Sequence, residues 1–313
     1  MSDRDDKSRK EVNFFMEDIN EAPAEAMSTG AAHTDKTKPG WYETHPVAYS
    51  LISVAAAIVL TSLVSNILVL PAALAEVASG AEMSRERIAC LTMPSKVVTL
   101  LIFWFIFRKR LRGFFDIRGL GAGILMGWSV LAISAFTVIG GILDHKAFGD
   151  IGTAVWNGIQ PGISEEVLYR IIPIAFALRV QKKDKLVIPV MTVTGVIFGL
   201  IHGANILAGA DVTATVLQVI YAAGTGLMFA IIYMKTGNLW ITVFLHSLTD
   251  IVYYLGAEEQ SSAGILSEQL GLVDIGFLIV YAALYFANAF WLYRRTGKTE
   301  FTGTWDRIWD GRR

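Results

Sequence analysis

The sequence predicts an all-α protein, a polytopic membrane bundle of about eight transmembrane helices, and three observations carry that expectation. Of its 313 residues 53% are hydrophobic and only 18% charged, and the mean hydropathy is +0.48, which sets the chain apart from ordinary soluble domains. Its apolar residues fall in recurring runs of about 20, the length a helix needs to cross the hydrocarbon core. Lys and Arg gather in alternate connections between those runs, the charge asymmetry that sets membrane topology.

The elements follow in order. Residues 1–46 are polar and charged without an apolar h-region, so a solvent-exposed disordered tail is expected and no cleavable signal peptide. Apolar runs at roughly 47–74, 88–107, 119–143, 153–179, 186–206, 212–234, 238–256 and 271–293 then form the bundle, 47–293. The first is long enough to tilt. Basic connections follow the second run ("RKRLRGFFDIR"), the fourth ("RVQKKDK"), the sixth (Lys235) and the eighth ("YRRTGK"). The alternate connections hold Arg85 and Arg87, then Lys146, then none. Positive charge stays inside, so both termini are expected in the cytoplasm. Residues 294–313 form a C-terminal tail in which Phe301, Trp305 and Trp309 share helical spacing, a pattern suited to a short interfacial helix or, equally, to a frayed end.

Other function classes recede. A net charge of −1 gives nucleic acid nothing to bind, and the single cysteine, Cys90, excludes an internal disulfide and a Cys-rich zinc site. "GILMG", Gly123 to Gly127, is a close-packing motif because no strand precedes it. Asn66, Gln218 and Asn288 read as interhelical hydrogen bonds.

Ionisable side chains at membrane depth are costly, face a bundle interior or a wet cavity, and suggest function. Three sets occur. In "GISEEVLYR", Glu166 and Arg170 lie four apart on one helix face and fit a buried charge-assisted pair. Glu165 projects about 140° away from Arg170, free to act as a general base. The alternative is a structural ion-pair cluster. In "GVIFGLIHGAN", Gly195, Gly199 and Gly203 form a small-residue ridge, Phe198 and His202 share the adjacent face, and Asn205 falls one turn beyond His202. In "FLHSLTD", His246 and Asp250 lie four apart. His202 alone fits a helix-to-helix hydrogen bond, and His246 alone a self-satisfied pair with Asp250. Set against Glu165, His202 could be a metal ligand or a water-orienting base. No HExxH occurs, and no Ser or Cys has a credible base beside it.

"SEEVLYR", "FGLIH" and "LHSLTD", in this order on successive membrane helices, resemble the CPBP family (Abi, or type II CAAX protease-like), whose motifs read EExxxR, FxxxH and Hxxx(N/D). "TGNLWITVFLHSLTD" is similar to that family's last core segment, and the resemblance spans about residues 150–256. It implies an intramembrane endopeptidase. Its substrate would be a membrane-associated peptide or a protein cleaved near its C-terminus, in bacteriocin or signal-peptide processing or in self-immunity. The expected setting is a bacterial cytoplasmic membrane.

Carried over by resemblance, Glu165 and His202 activate water, and Glu166 and Arg170 hold the site, with Phe198 and Asn205 in support. His246 and Asp250 orient or stabilise the oxyanion. Zinc is the implied metal, with Glu165, His202 and His246 as its candidate ligands. Two positions depart from the pattern: Ile171 stands where many members have Gly, and Asp250 where the CAAX enzymes have Asn. An ionised Asp donates no hydrogen bond, so Asp250 is protonated, binds metal or orients His246. The competing readings are a non-catalytic partner of a sensor kinase and a proton-coupled transporter, against which stands the lack of paired broken helices in matching halves.

Overall fold

The computed structural model describes residues 41–80, 119–145, 148–170, 187–256 and 270–296, with a few single positions elsewhere. The chain divides into two units, Met1–Lys38 and Pro39–Arg313, and the first lies outside the described residues.

Among the described residues every regular element is helical. α1 (Trp41–Thr44) is a single turn, and α2 (Pro46–Leu68) opens with a proline in its first turn, where the missing N–H costs nothing. Pro71 in α3 (Leu70–Ala78) marks the joint between these two. α4 (Leu120–Met126) and α5 (Trp128–Leu143) follow, then α6 (Ile151–Glu166), α7 (Val187–Ile201) and a 3-10 segment, His202–Ala208. α8 (Val212–Thr236), α9 (Leu239–Leu255) and α10 (Leu272–Arg295) complete the order.

Local chemistry sets the boundaries. Asp150 Oδ2 accepts from Thr153 N at 2.7 Å to start α6, and Asp211 Oδ1 accepts from Ala214 N at 2.8 Å to start α8. Gly237, at φ +65°, ends α8 in the left-handed conformation that other residues resist. Asn238 then caps α9 through a 2.9 Å bond from Trp240 N.

α8 is the centre of the bundle. Met228 to Met234 are each at most 3% exposed, so this stretch is apolar and enclosed all round. α8 packs between α7 and α10, and α9 packs along α6. Lipid is as apolar as these side chains, so close packing rather than water exclusion joins the helices. The glycine ridge of α7 shows how. A Cβ at Gly195 would fall 2.9 Å from Leu227 N, and one at Gly199 would fall 2.8 Å from Ala223 N. Gly203 lies beyond the seam, its nearest such contact being Val219 Cγ2 at 3.9 Å.

Leu51–Ala78, Ile188–Leu207, Val212–Thr236 and Leu272–Arg295 are long and apolar enough to cross a membrane. α4 and α5 would add a fifth span if taken as one. The fold is an all-α membrane bundle. The predicted run 88–107 lies almost wholly outside the described residues, as does the end of the fourth after Arg170. α9 has 17 residues and is shorter than a full span.

Three expectations are corrected. The predicted single helix 119–143 is two helices bent by 76° at Gly127, on which the Leu245 side chain presses. Asn288 Nδ2 reaches the Met126 carbonyl at 3.0 Å, supplying a partner for backbone that the break exposes. Asn66 shows no interhelical bond among the described residues: its Nδ2 donates to Ser62 O at 2.8 Å within α2. Phe301 is not laid on an interface but is 1% exposed within the core. Thr304, one turn on, donates to the Lys235 carbonyl at 3.0 Å. Trp305 and Trp309 lie outside the described residues.

Candidate active site

The site is assembled where α6, α7, α8 and α9 meet. α6 and α9 approach closely because Gly158 and Gly162 face α9. A Cβ at Gly158 would fall 2.6 Å from Ile251 N, and one at Gly162 would strike Ser247 Oγ. The spacing "GIQPG" is a small-xxx-small pattern. Pro161 removes one backbone donor from this stretch. The helix then widens into a π turn over 167–170, a distortion frequent at functional sites.

Two consecutive glutamates therefore meet different surroundings. The Glu166 side chain is fully buried, as is Arg170, and Arg170 Nε lies 3.0 Å from Glu166 Oε2 while Nη2 donates to Oε1 at 3.2 Å. The Glu165 side chain is 32% exposed. From α9, His246 Nδ1 meets Glu166 Oε1 at 3.0 Å. A carboxylate only accepts, so Nδ1 carries the proton and Nε2 is turned outward. There Nε2 lies 3.5 Å from Asp250 Oδ2 and 3.9 Å from Glu165 Oε2. Both carboxyls thus approach the same ring nitrogen. One buried carboxylate thus braces an imidazole between two half-exposed ones.

Aromatic rings wall the buried side of this unit. Phe198 lies 5.6 Å from the His246 ring, and Arg170 Cζ lies 5.1 Å from its centroid. Tyr169 packs on Phe198 edge to face at 5.2 Å.

His202 sits differently. Its Nδ1 donates to the Phe198 carbonyl at 2.8 Å and its ring stands 5.3 Å from the Phe198 ring. Among the described residues it makes no hydrogen bond or ion pair with Glu165 or His246. Asn205 donates to Gln218 Oε1 on α8 at 2.8 Å, tethering the 3-10 segment rather than touching the carboxylates. Gln218 and Asn288 make the interhelical bonds their sequence contexts suggest. Sequence reasoning missed Phe229 of α8, whose ring lies 5.9 Å from His246 and 5.9 Å from Arg170 Cζ. Only its place midway along an apolar helix could have drawn attention to it.

The fit to zinc is poor. The implied set Glu165, His202 and His246 is not brought together. Among the described residues no group of three or more His, Cys, Asp or Glu side chains is arranged to hold a metal ion, where zinc requires donors about 2 Å from a common point.

Fold and site together define a helical membrane protein with an acid–base centre inside its bundle. Residues 147–252 match the family described as Type II CAAX prenyl endopeptidase Rce1-like. The match covers the site-bearing segment, about a third of the chain, and supports the CPBP/CAAX protease family for that segment. No curated protein and no solved structure is significantly similar to the chain.

Proposed function

We propose that the protein is an intramembrane endopeptidase in which Glu165 activates the attacking water. The observation that carries this is the convergence of Glu165 and Asp250 on His246 Nε2, at 3.9 and 3.5 Å, while Glu166 holds the opposite ring nitrogen at 3.0 Å. Peptide hydrolysis needs a base for water, a counter-charge for the oxyanion and a proton for the leaving amine. Glu165, the more exposed glutamate, takes a proton from water as the oxygen attacks the carbonyl carbon. The oxyanion is met by Nε2–H of a doubly protonated His246, whose Nδ1–H stays on Glu166 and whose Nε2 lies beside Asp250. The carbon–nitrogen bond then breaks, and the proton held by Glu165 passes to the departing nitrogen. The products are one carboxylate and one amine. His202, with Nδ1 committed to the Phe198 carbonyl, presents Nε2 as an acceptor for water or for a substrate N–H. No step passes through a metal, because the donor set does not close around one.

The substrate class is a membrane-associated peptide or a protein cleaved near its C-terminus. Its scissile bond reaches the face where Glu165 and Asp250 are open. The resemblance extends the reading to processing of a bacteriocin or signal peptide or to self-immunity, and the charge alternation to both termini in the cytoplasm of a bacterial membrane. The test is Glu165→Gln, purified in detergent and assayed on a fluorogenic prenylated peptide alongside a library of membrane-associated peptides. Turnover falls about 100- to 10,000-fold, the usual share of a general base, with thermal stability unchanged. Undiminished turnover removes Glu165 as the base.

A further inference from the structure

We propose that Phe229 is a positioning residue that, with Phe198, forms a two-ring clamp holding the His246 imidazole in register with Glu166. The inference deepens the hydrolase reading and rests on it for its activity arm.

Phe229 lies midway along α8, 1% exposed, on a helix that contributes none of the carboxylates or histidines of the site. Its ring is 5.9 Å from the His246 ring and tilted by 33°, while Phe198 from α7 meets the same imidazole at 5.6 Å and 82°. One ring therefore lies along the imidazole and the other stands across it. The same two rings contact the Arg170 guanidinium, at 5.1 Å for Phe198 and 5.9 Å for Phe229. Both cation-capable partners of Glu166 are thus walled by one aromatic pair, where desolvation strengthens cation–π attraction.

The consequence is orientational. A half-turn of the imidazole about its Cβ–Cγ bond would withdraw Nδ1 from Glu166 Oε1 and deprive a buried carboxylate of a donor. It would also put the Cε1 carbon where Nε2 now faces Glu165 and Asp250. Interiors packed at crystal density hold such rings in one rotamer, and here the walls come from two different helices. α8 thus sets which nitrogen of His246 faces the substrate without touching the substrate itself. Gly226, one turn before Phe229, supports this seating: a Cβ there would fall 2.9 Å from Phe198 Cδ1, so its absence lets Phe198 lie against α8.

The test uses the full chain in detergent with ¹⁵N-labelled histidine, the His246 signals being assigned by their loss in His246→Gln. The parent protein shows a single His246 ring state whose Nδ1–H is hydrogen-bonded. Phe229→Leu, apolar but without a ring face, shows a second His246 population. It lowers kcat about tenfold or more, the penalty of a misplaced acid–base group, while KM stays within about twofold. Phe229→Met, which fills more of the space, carries the same test where the Leu variant does not fold. A purely structural Phe229 would lower the thermal midpoint and leave the histidine signals alone. Unchanged His246 signals in a folded variant overturn the clamp, as does a rise in KM at constant kcat. Where the parent protein hydrolyses no peptide, the hydrolase reading falls and the histidine spectra still decide the clamp.

Discussion

Glu166 Oε1 accepts from His246 Nδ1 at 3.0 Å across 80 residues of sequence and also from Arg170 Nη2 at 3.2 Å on its own helix. One carboxylate therefore does two things: it neutralises a fully buried guanidinium and selects which nitrogen of His246 faces outward. The i,i+4 spacing predicts the first role. The second depends on α9 lying against α6, which no local pattern reveals.

Glu166→Gln should separate the structural from the chemical glutamate. The substitution leaves Arg170 buried without a matching charge, and breaking such a pair costs about 3 kcal/mol or more. It also offers an amide that can present either a donor or an acceptor to His246, so the ring loses its fixed tautomer. The expected outcome is a lowered thermal midpoint in detergent together with lost turnover, where Glu165→Gln loses turnover alone. Thermal scanning of the two variants side by side reads this directly, and equal stability would show that Glu166 does not carry the pair.

Chelation addresses the implied zinc. His202 spends Nδ1 on the Phe198 carbonyl and makes no polar contact with Glu165 or His246 among the described residues. Glu165 and Asp250 approach one nitrogen rather than surrounding a shared point. Exhaustive treatment with 1,10-phenanthroline or EDTA should therefore leave turnover within about twofold, since the described donors do not close around one ion. Loss of activity that returns on adding zinc would show that the donors close around an ion when substrate is present.

Much of this arrangement is legible in the sequence, and the limits are physical. Hydropathy and charge alternation specify a membrane bundle because every backbone polar group in lipid must be satisfied within its own helix. Ionisable residues stand out for a related reason: at that depth they are too costly to be incidental. Glu165, Glu166, Arg170, His246 and Asp250 are found that way. Phe229 is not, because an aromatic on an apolar helix has no chemical signature until its neighbours are known. The break at Gly127 is equally hidden. It depends on Asn288, 162 residues away, reaching the Met126 carbonyl. His202 is noticed for its chemistry, but the commitment of its Nδ1 to the Phe198 carbonyl is a contact that helical periodicity does not encode.

The two glycine seams give the sharpest contrast in packing. At Gly158 an added Cβ would lie 2.6 Å from Ile251 N, and backbone cannot swing aside as a side-chain end can. At Gly203 the same atom would meet only Val219 Cγ2 at 3.9 Å, ordinary van der Waals contact. Both glycines lie near the site, on α6 and in the 3-10 segment after α7, so a loss of function caused by proximity alone would affect both. Gly158→Ala should push α9 away from α6, cost about 1–3 kcal/mol as overpacking does, and lower turnover by moving His246 and Asp250 relative to Glu165. Gly203→Ala should leave stability within about 0.5 kcal/mol, the range of substitutions that disturb no packed feature, and leave turnover intact. Denaturation midpoints and kcat for the pair, measured in the same detergent, test the seam, and a Gly158→Ala variant as stable and active as Gly203→Ala would show that α6 and α9 do not meet as closely as this geometry requires.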